Sequence, residues 1–200
     1  MLAAESWDIN DDHLLLGLEV LRSNGPWELG SKVRKINGLA KYKTHRNNVD
    51  MSLLVSAYAN KWRSTDQIPV RAVSEIGRFG FVDPSLGGKS HRFSLITNLT
   101  TERWAAGAYM SNYSLNLFQN PTYFLNDPLN GDAIEQHDSR WVMGMHANTS
   151  FSFNLHTFRI GGDLRYDAVA KADLYSTTNR VRRENLIDTR LKEFSVGTFL

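Results

Sequence analysis

The chain's chemistry-capable residues are its histidines, a short acidic segment and a knot of arginines. The six histidines stand at His13, His45, His91, His137, His146 and His156. None is three or four residues from another, so a helical His-x-x-x-His metal pair is excluded. There is no Gly-x-Ser-x-Gly nucleophile turn and no glycine-rich phosphate loop. Serine, histidine and aspartate are all available, but no local pattern assembles them into a triad. With no cysteine, thiolate metal sites and disulfides are also excluded. The sequence therefore predicts no enzyme, no cofactor and no metal centre.

Asp132, Glu135, His137 and Asp138 cluster within seven residues. Their oxygens are of the type that holds divalent cations, although a solvated polar loop explains them better. Arg180, Arg182 and Arg183 carry the bidentate fork that suits lipopolysaccharide phosphates or another anionic ligand. An exposed basic loop tip is the plainer expectation. Trp62, Arg71, Arg78 and Arg92 combine an aromatic ring with fixed positive charge, a mixture suited to capturing a bulky polar ligand. Sequons begin at Asn98, Asn112 and Asn148. They fall in strands or turns and are chance matches if the protein is bacterial.

The elements that must position these residues are strands. Segments 13–22, 32–45, 51–63, 91–99, 104–118, 140–151, 157–167 and 188–200 alternate apolar and polar residues, and they predict about eight strands. In the first, Leu14, Leu16, Leu18 and Val20 share a face opposite Gly17 and Glu19. In the seventh, Phe158, Ile160, Leu164 and Tyr166 oppose Arg159, Asp163, Arg165 and Asp167. In the fifth, the expected oily face is Tyr109, Tyr113, Leu115 and Leu117. Lys35, Lys41, Lys43, Arg92, Arg159, Asp163 and Arg165 fall on wet faces, where internal Arg–Asp pairing is expected.

The gaps alternate in length. Arg46–Asp50, Thr100–Arg103 and the stretch near Ser152–His156 are short; 23–31, 64–90, 119–139 and 168–187 are long. This rhythm, with strands near the 9–11 residues that cross a bilayer, predicts an antiparallel up-and-down transmembrane β-barrel with tight periplasmic turns and long outer loops. Tyr42, Trp62, Trp104, Tyr113, Trp141 and Tyr166 near segment ends fit interfacial girdles. A soluble ligand-binding β-barrel or sandwich shows the same alternation with its oily faces turned inward. The 23 basic and 21 acidic residues leave a net charge of +2 and no basic run, so no nucleic-acid partner is expected. No apolar run approaches the ~18 residues of a membrane helix.

Several segments resemble the barrel of TonB-dependent outer-membrane receptors. They are KWRSTDQIPVRAVSEIGRFGFVDPSLGGKSHRFSL from Lys61 to Leu95, SNGPWELGSKVRKIN from Ser23 to Asn37, NGDAIEQHD from Asn130 to Asp138, GDLRYD from Gly162 to Asp167, and KEFSVG from Lys192 to Gly197. The similarity spans nearly the whole chain in family order. It implies part of a larger barrel, of roughly 22 strands, in the outer membrane of a Gram-negative bacterium. The implied activity is active uptake of a scarce solute such as a ferric siderophore, energised by the TonB complex. The family's plug domain, signal peptide and TonB-contacting segment have no counterpart here. The expectation is thus an interior piece of a receptor, contacting outer-membrane lipid and unable to transport alone. The other expectation is a complete eight-stranded barrel with a structural, adhesive or channel role.

Overall fold

The computed structural model describes residues 1–64 and 67–200. Nine strands form one antiparallel sheet in which every strand pairs only with its sequence neighbours. They are β1 (Leu2–Ile9), β2 (Asp12–Ser23), β3 (Val33–Arg46), β4 (Val49–Arg63), β5 (Gly87–Thr100), β6 (Trp104–Gln119), β7 (Ile134–Phe153), β8 (His156–Thr178) and β9 (Val181–Phe199). A 3-10 turn, Val70–Ala72, and a one-turn helix, α1 (Val73–Ile76), sit in the loop after β4. The up-and-down antiparallel expectation holds. The sheet is open, however, with β1 and β9 as its edges, and it contains nine strands rather than eight.

Two further differences concern strand limits. The strand β1 was not expected, and residues 168–187 are not a loop. β8 runs on to Thr178, turns through Asn179 and Arg180, and returns as β9 from Val181. The tight turns are set by asparagine. Each two-residue turn opens on an Asn with positive φ: Asn10, Asn47, Asn154 and Asn179. Asn47 and Asn48 are both left-handed, at 50° and 61°, the combination whose twist matches that of paired strands. The β5–β6 turn is closed by Thr101, whose hydroxyl accepts the Trp104 N–H at 3.0 Å.

The sheet is a single layer. Among the described residues the only buried apolar side chains are Leu86 and Ala133, both in the loops. Register fixes what each face carries, because directly paired residues point the same way. One row runs Leu16, Ala40, Val55, Leu95, Met110, Met143, Tyr166 and Phe194 from β2 to β9. The next row on that face runs Leu14, Tyr42, Leu53, Thr97, Ala108, Met145, Leu164 and Val196. These rows form an apolar belt, none of it buried. Leu16 is 41% exposed and Phe194 63%. The opposite face is polar: Gly17, Leu39, Ser56, Ser94, Ser111, Val142, Asp167 and Glu193 form one of its rows.

The register corrects the fifth expected strand. Tyr109, Tyr113, Leu115 and Leu117 lie on the polar face. The belt side of β6 is Trp104, Ala106, Ala108 and Met110, followed by Asn112 and Ser114. Small alanines supply the belt there, so hydropathy alone favoured the wrong face. Of the expected girdle residues, Tyr42, Trp104, Trp141 and Tyr166 are on the belt side, whereas Trp62 and Tyr113 are not.

Candidate ligand-capture face at the loop end

The long connections and the β8–β9 tip gather at one end of the sheet and tie to one another. Trp27 packs on Phe79 with ring centroids 5.8 Å apart, and the Glu28 N–H donates to Phe79 O. The Tyr123 hydroxyl donates to Gln67 O at 3.0 Å, and Asn120 Nδ2 to Asp83 Oδ2 at 2.9 Å. Arg180 of the hairpin tip donates to the carbonyls of Ser85 and Leu86 at 2.5 and 2.9 Å and stacks over Phe118. Three loops and a hairpin thus share one packed surface around buried Leu86, Ala133, Asn120 and Thr177.

Loop 120–133 is folded around two aspartates. Asp132 accepts the Thr122 hydroxyl at 2.6 Å and the backbone N–H groups of Asn126 and Asp127. Asp127 in turn accepts the N–H groups of Leu129 and Asn130, and Arg183 Nη1 at 3.0 Å. These donors, the Asn130 backbone N–H foremost, hold the Asp127 carboxyl down at about 2. Asp132 is lowered for the same kind of reason, with the Thr122 hydroxyl leading.

Below the tip, on the belt side of the extended strands, lies a second polar group. Glu135 is 4% exposed. Arg182 grips it with two bonds, Nε to Oε2 at 2.6 Å and Nη2 to Oε1 at 2.9 Å, and Asn116 Nδ2 donates to Oε1. The Arg182 guanidinium lies 3.9 Å over the Tyr175 ring, and the Tyr175 hydroxyl donates to Asp173 at 3.2 Å.

These contacts settle where the expected site residues stand. Asp132, Glu135 and Asp138 do not converge: Asp132 closes its loop, Glu135 pairs with Arg182, and Asp138 pairs with Arg140 on the polar face. Among the described residues no group of three acidic or imidazole side chains is placed to hold a metal ion. Arg180, Arg182 and Arg183 are not a free basic tip, because each is spent on an internal partner. The expected internal pairing on the wet faces is present for Arg165, whose Nε meets Asp167 at 2.6 Å, and also for Lys35 with Glu19.

Trp62 and Arg92 share the polar face but stand four register positions apart, since Arg92 pairs with Tyr58 and Trp62 with Gly88. Arg92 lies over Tyr113, 5.4 Å from its ring centroid. Trp62 covers Gly88, where a Cβ would meet its ring at 3.1 Å. At neighbouring Gly87, with φ 128°, an added Cβ would collide with the Trp62 carbonyl oxygen, in a backbone conformation that residues with side chains rarely adopt. Arg71 is exposed in the 3-10 turn and Arg78 is exposed just after α1. The structure therefore divides the expected set between strand wall and loop. Thr65 and Asp66 of the Trp62–Pro69 motif lie outside the described residues. The Arg182–Glu135–Asn116 group was not expected; its signal, an arginine on β9 reaching over Tyr175 of β8 to an acid on β7, needs the register to be seen.

Compared with protein-family models, with curated proteins and with solved structures, the chain finds no match.

Proposed function

We propose that this chain is a wall segment of a transmembrane β-barrel in the outer membrane of a Gram-negative bacterium. In this reading its loop end is part of the ligand-capturing mouth of an active-transport receptor. The observation that carries it is the exposed apolar belt, continuous in register from β2 to β9 with no second layer over it. A patch of that extent in water is an aggregation hazard, and acyl chains are its natural cover. The strands support the reading too: β3 has 14 residues and β8 has 23, more than the ~9–11 that a tilted crossing needs. The extra length lies beyond the belt on the loop side. The polar face, with Arg140–Asp138 and Arg165–Asp167 pairs, suits a lumen.

Lipid does not tolerate open sheet edges, so in this reading the β1 and β9 edges pair with further strands, in vesicles those of neighbouring copies of the chain. The motif resemblance assigns the closed barrel to TonB-dependent uptake of a ferric siderophore or similar chelate. The part played by this chain is then to form wall and mouth, with no chemistry of its own.

The test uses variants that each retain one tryptophan, with the others changed to phenylalanine, mixed with vesicles of brominated phosphatidylcholine. Trp104 and Trp141, on the belt, are quenched; Trp62, on the polar face, is not. Equal quenching of all three, or none, refutes the membrane wall and favours a soluble sheet.

A further inference from the structure

Beyond the belt, the same face carries cations that nothing in the described chain neutralises. Arg22 pairs in register with Arg34, Arg34 with Lys61, and Lys61 with Lys89. The four side chains stand directly opposite one another on β2, β3, β4 and β5, a span of about 14 Å at ordinary strand spacing. On each strand the cation continues the belt column. Val20, Ile36 and Ala59 lie two residues from Arg22, Arg34 and Lys61, and Phe93 lies four from Lys89. All four cations are exposed. None joins an ion pair among the described residues, unlike Arg46, Arg140, Arg165, Arg182 and Arg183.

Like charges directly opposite on neighbouring strands repel. A row of four therefore works against the sheet unless an anion lies over it. A shallow groove of about 440 Å³ runs along the row, lined by Arg22, Arg34, Ile36, Ala59, Lys61 and Lys89 among others. We propose that this row binds the phosphates of membrane lipid headgroups at the loop-side surface of the bilayer.

Two arguments choose that occupant. The first is charge: guanidinium forks and ammonium groups are the donors that phosphate oxygens pair with. The second is depth. The row begins one or two side-chain positions past the last apolar residues of its strands, about 7 Å along the chain per two residues. That is where headgroups begin once acyl chains cover the belt. The contact is confined to one half of the wall, because the same row continues as Asn116, His137, Asp173 and Asp188 on β6 to β9. The inference rests on the membrane-wall reading above.

The experiment measures partition of the full chain onto two vesicle types at low salt: phosphatidylcholine alone, and phosphatidylcholine mixed with phosphatidylglycerol. Belt quenching by brominated lipid is recorded in the same samples. The expected result is tighter partition onto the anionic vesicles by about tenfold or more, since each cation near such a surface is worth about fivefold. The quadruple variant R22Q/R34Q/K61Q/K89Q loses that preference and keeps its belt quenching. A control that removes three cations from the polar face, K41Q/K43Q/R92Q, keeps the preference. Circular dichroism establishes that both variants retain strand content, which relief of repulsion in the row favours.

If the quadruple variant prefers anionic vesicles as strongly as the parent while belt quenching persists, the headgroup proposal fails and the membrane wall stands. If belt quenching is absent from both vesicle types, both readings fall. Release of the chain by sodium phosphate, but not by sodium chloride of equal ionic strength, would assign the row to free phosphate and overturn the lipid proposal.

Discussion

At the scale of single residues, the loop end is held by carboxylates that the fold keeps ionised. Asp127 is the extreme case, lowered from 3.8 to about 2. A carboxyl with a depressed folded-state pKa stabilises the fold fully above its ordinary value. That contribution is lost as pH falls through the folded-state value. The backbone amides of Leu129 and Asn130 are therefore predicted to lose hydrogen-exchange protection as pH falls from about 4 to about 2. Asp127→Asn abolishes that acid transition, and a parent chain with acid-insensitive amides contradicts the account. The Glu135–Arg182 pair makes a different prediction. Arg182→Met strips a nearly buried carboxylate of two bonds and costs about 1–3 kcal/mol in unfolding experiments. Adding Glu135→Met recovers part of that loss, because the stranded charge goes with it. A double variant less stable than the single one contradicts this role. These contacts were legible in the sequence only as residue types. Asp132, Glu135 and Asp138 read as one acidic segment, yet strand alternation sends Glu135 and Asp138 to opposite faces.

At the scale of elements, the expected strands were those that cross the belt, where one face is apolar and period two is visible. What was missed lies where that contrast ends. Residues 168–178 and 181–187 form the outer part of the β8–β9 hairpin, where Lys171, Asp173, Thr177, Arg182 and Glu184 put polar groups on both faces. The one alternation there, Lys171 and Asp173 against Ala172 and Leu174, is too short to stand out from a polar loop, and backbone pairing with register shifts at Val169/Ala172, Leu174/Tyr175 and Ser176/Thr177 holds the ladder. The missed β1 is similar, since Ala3, Ala4, Glu5 and Ser6 carry no alternation. The asparagine turns were the available signal. Asn48, at φ 61°, is predicted to resist replacement by a β-branched residue. Asn48→Val lowers stability by about 1–2 kcal/mol, measured by denaturant unfolding in detergent. No change would mean that the turn does not set the β3–β4 register.

At the scale of the whole molecule, the alternation of short and long connections was legible as an antiparallel meander with two unlike ends. Which face of each strand joins its neighbours' apolar residues was not. On β6 the alanines of the belt are outweighed by tyrosines and leucines on the other side, and only pairing with β5 and β7 decides. If the belt is the membrane wall proposed above, the face bearing Leu16, Val55, Met143 and Phe194 meets lipid. The chain has no cysteine, so single cysteines can be introduced along β8 from Phe158 to Ala168 and spin-labelled. Oxygen, which concentrates in acyl chains, and a water-soluble nickel chelate then report the surroundings of each label in bilayers. The account predicts period two: high oxygen accessibility at Phe158, Ile160, Leu164 and Tyr166, and low at Arg159, Asp163, Arg165 and Asp167. A flat profile, or one with its maxima on the arginine and aspartate positions, would contradict it.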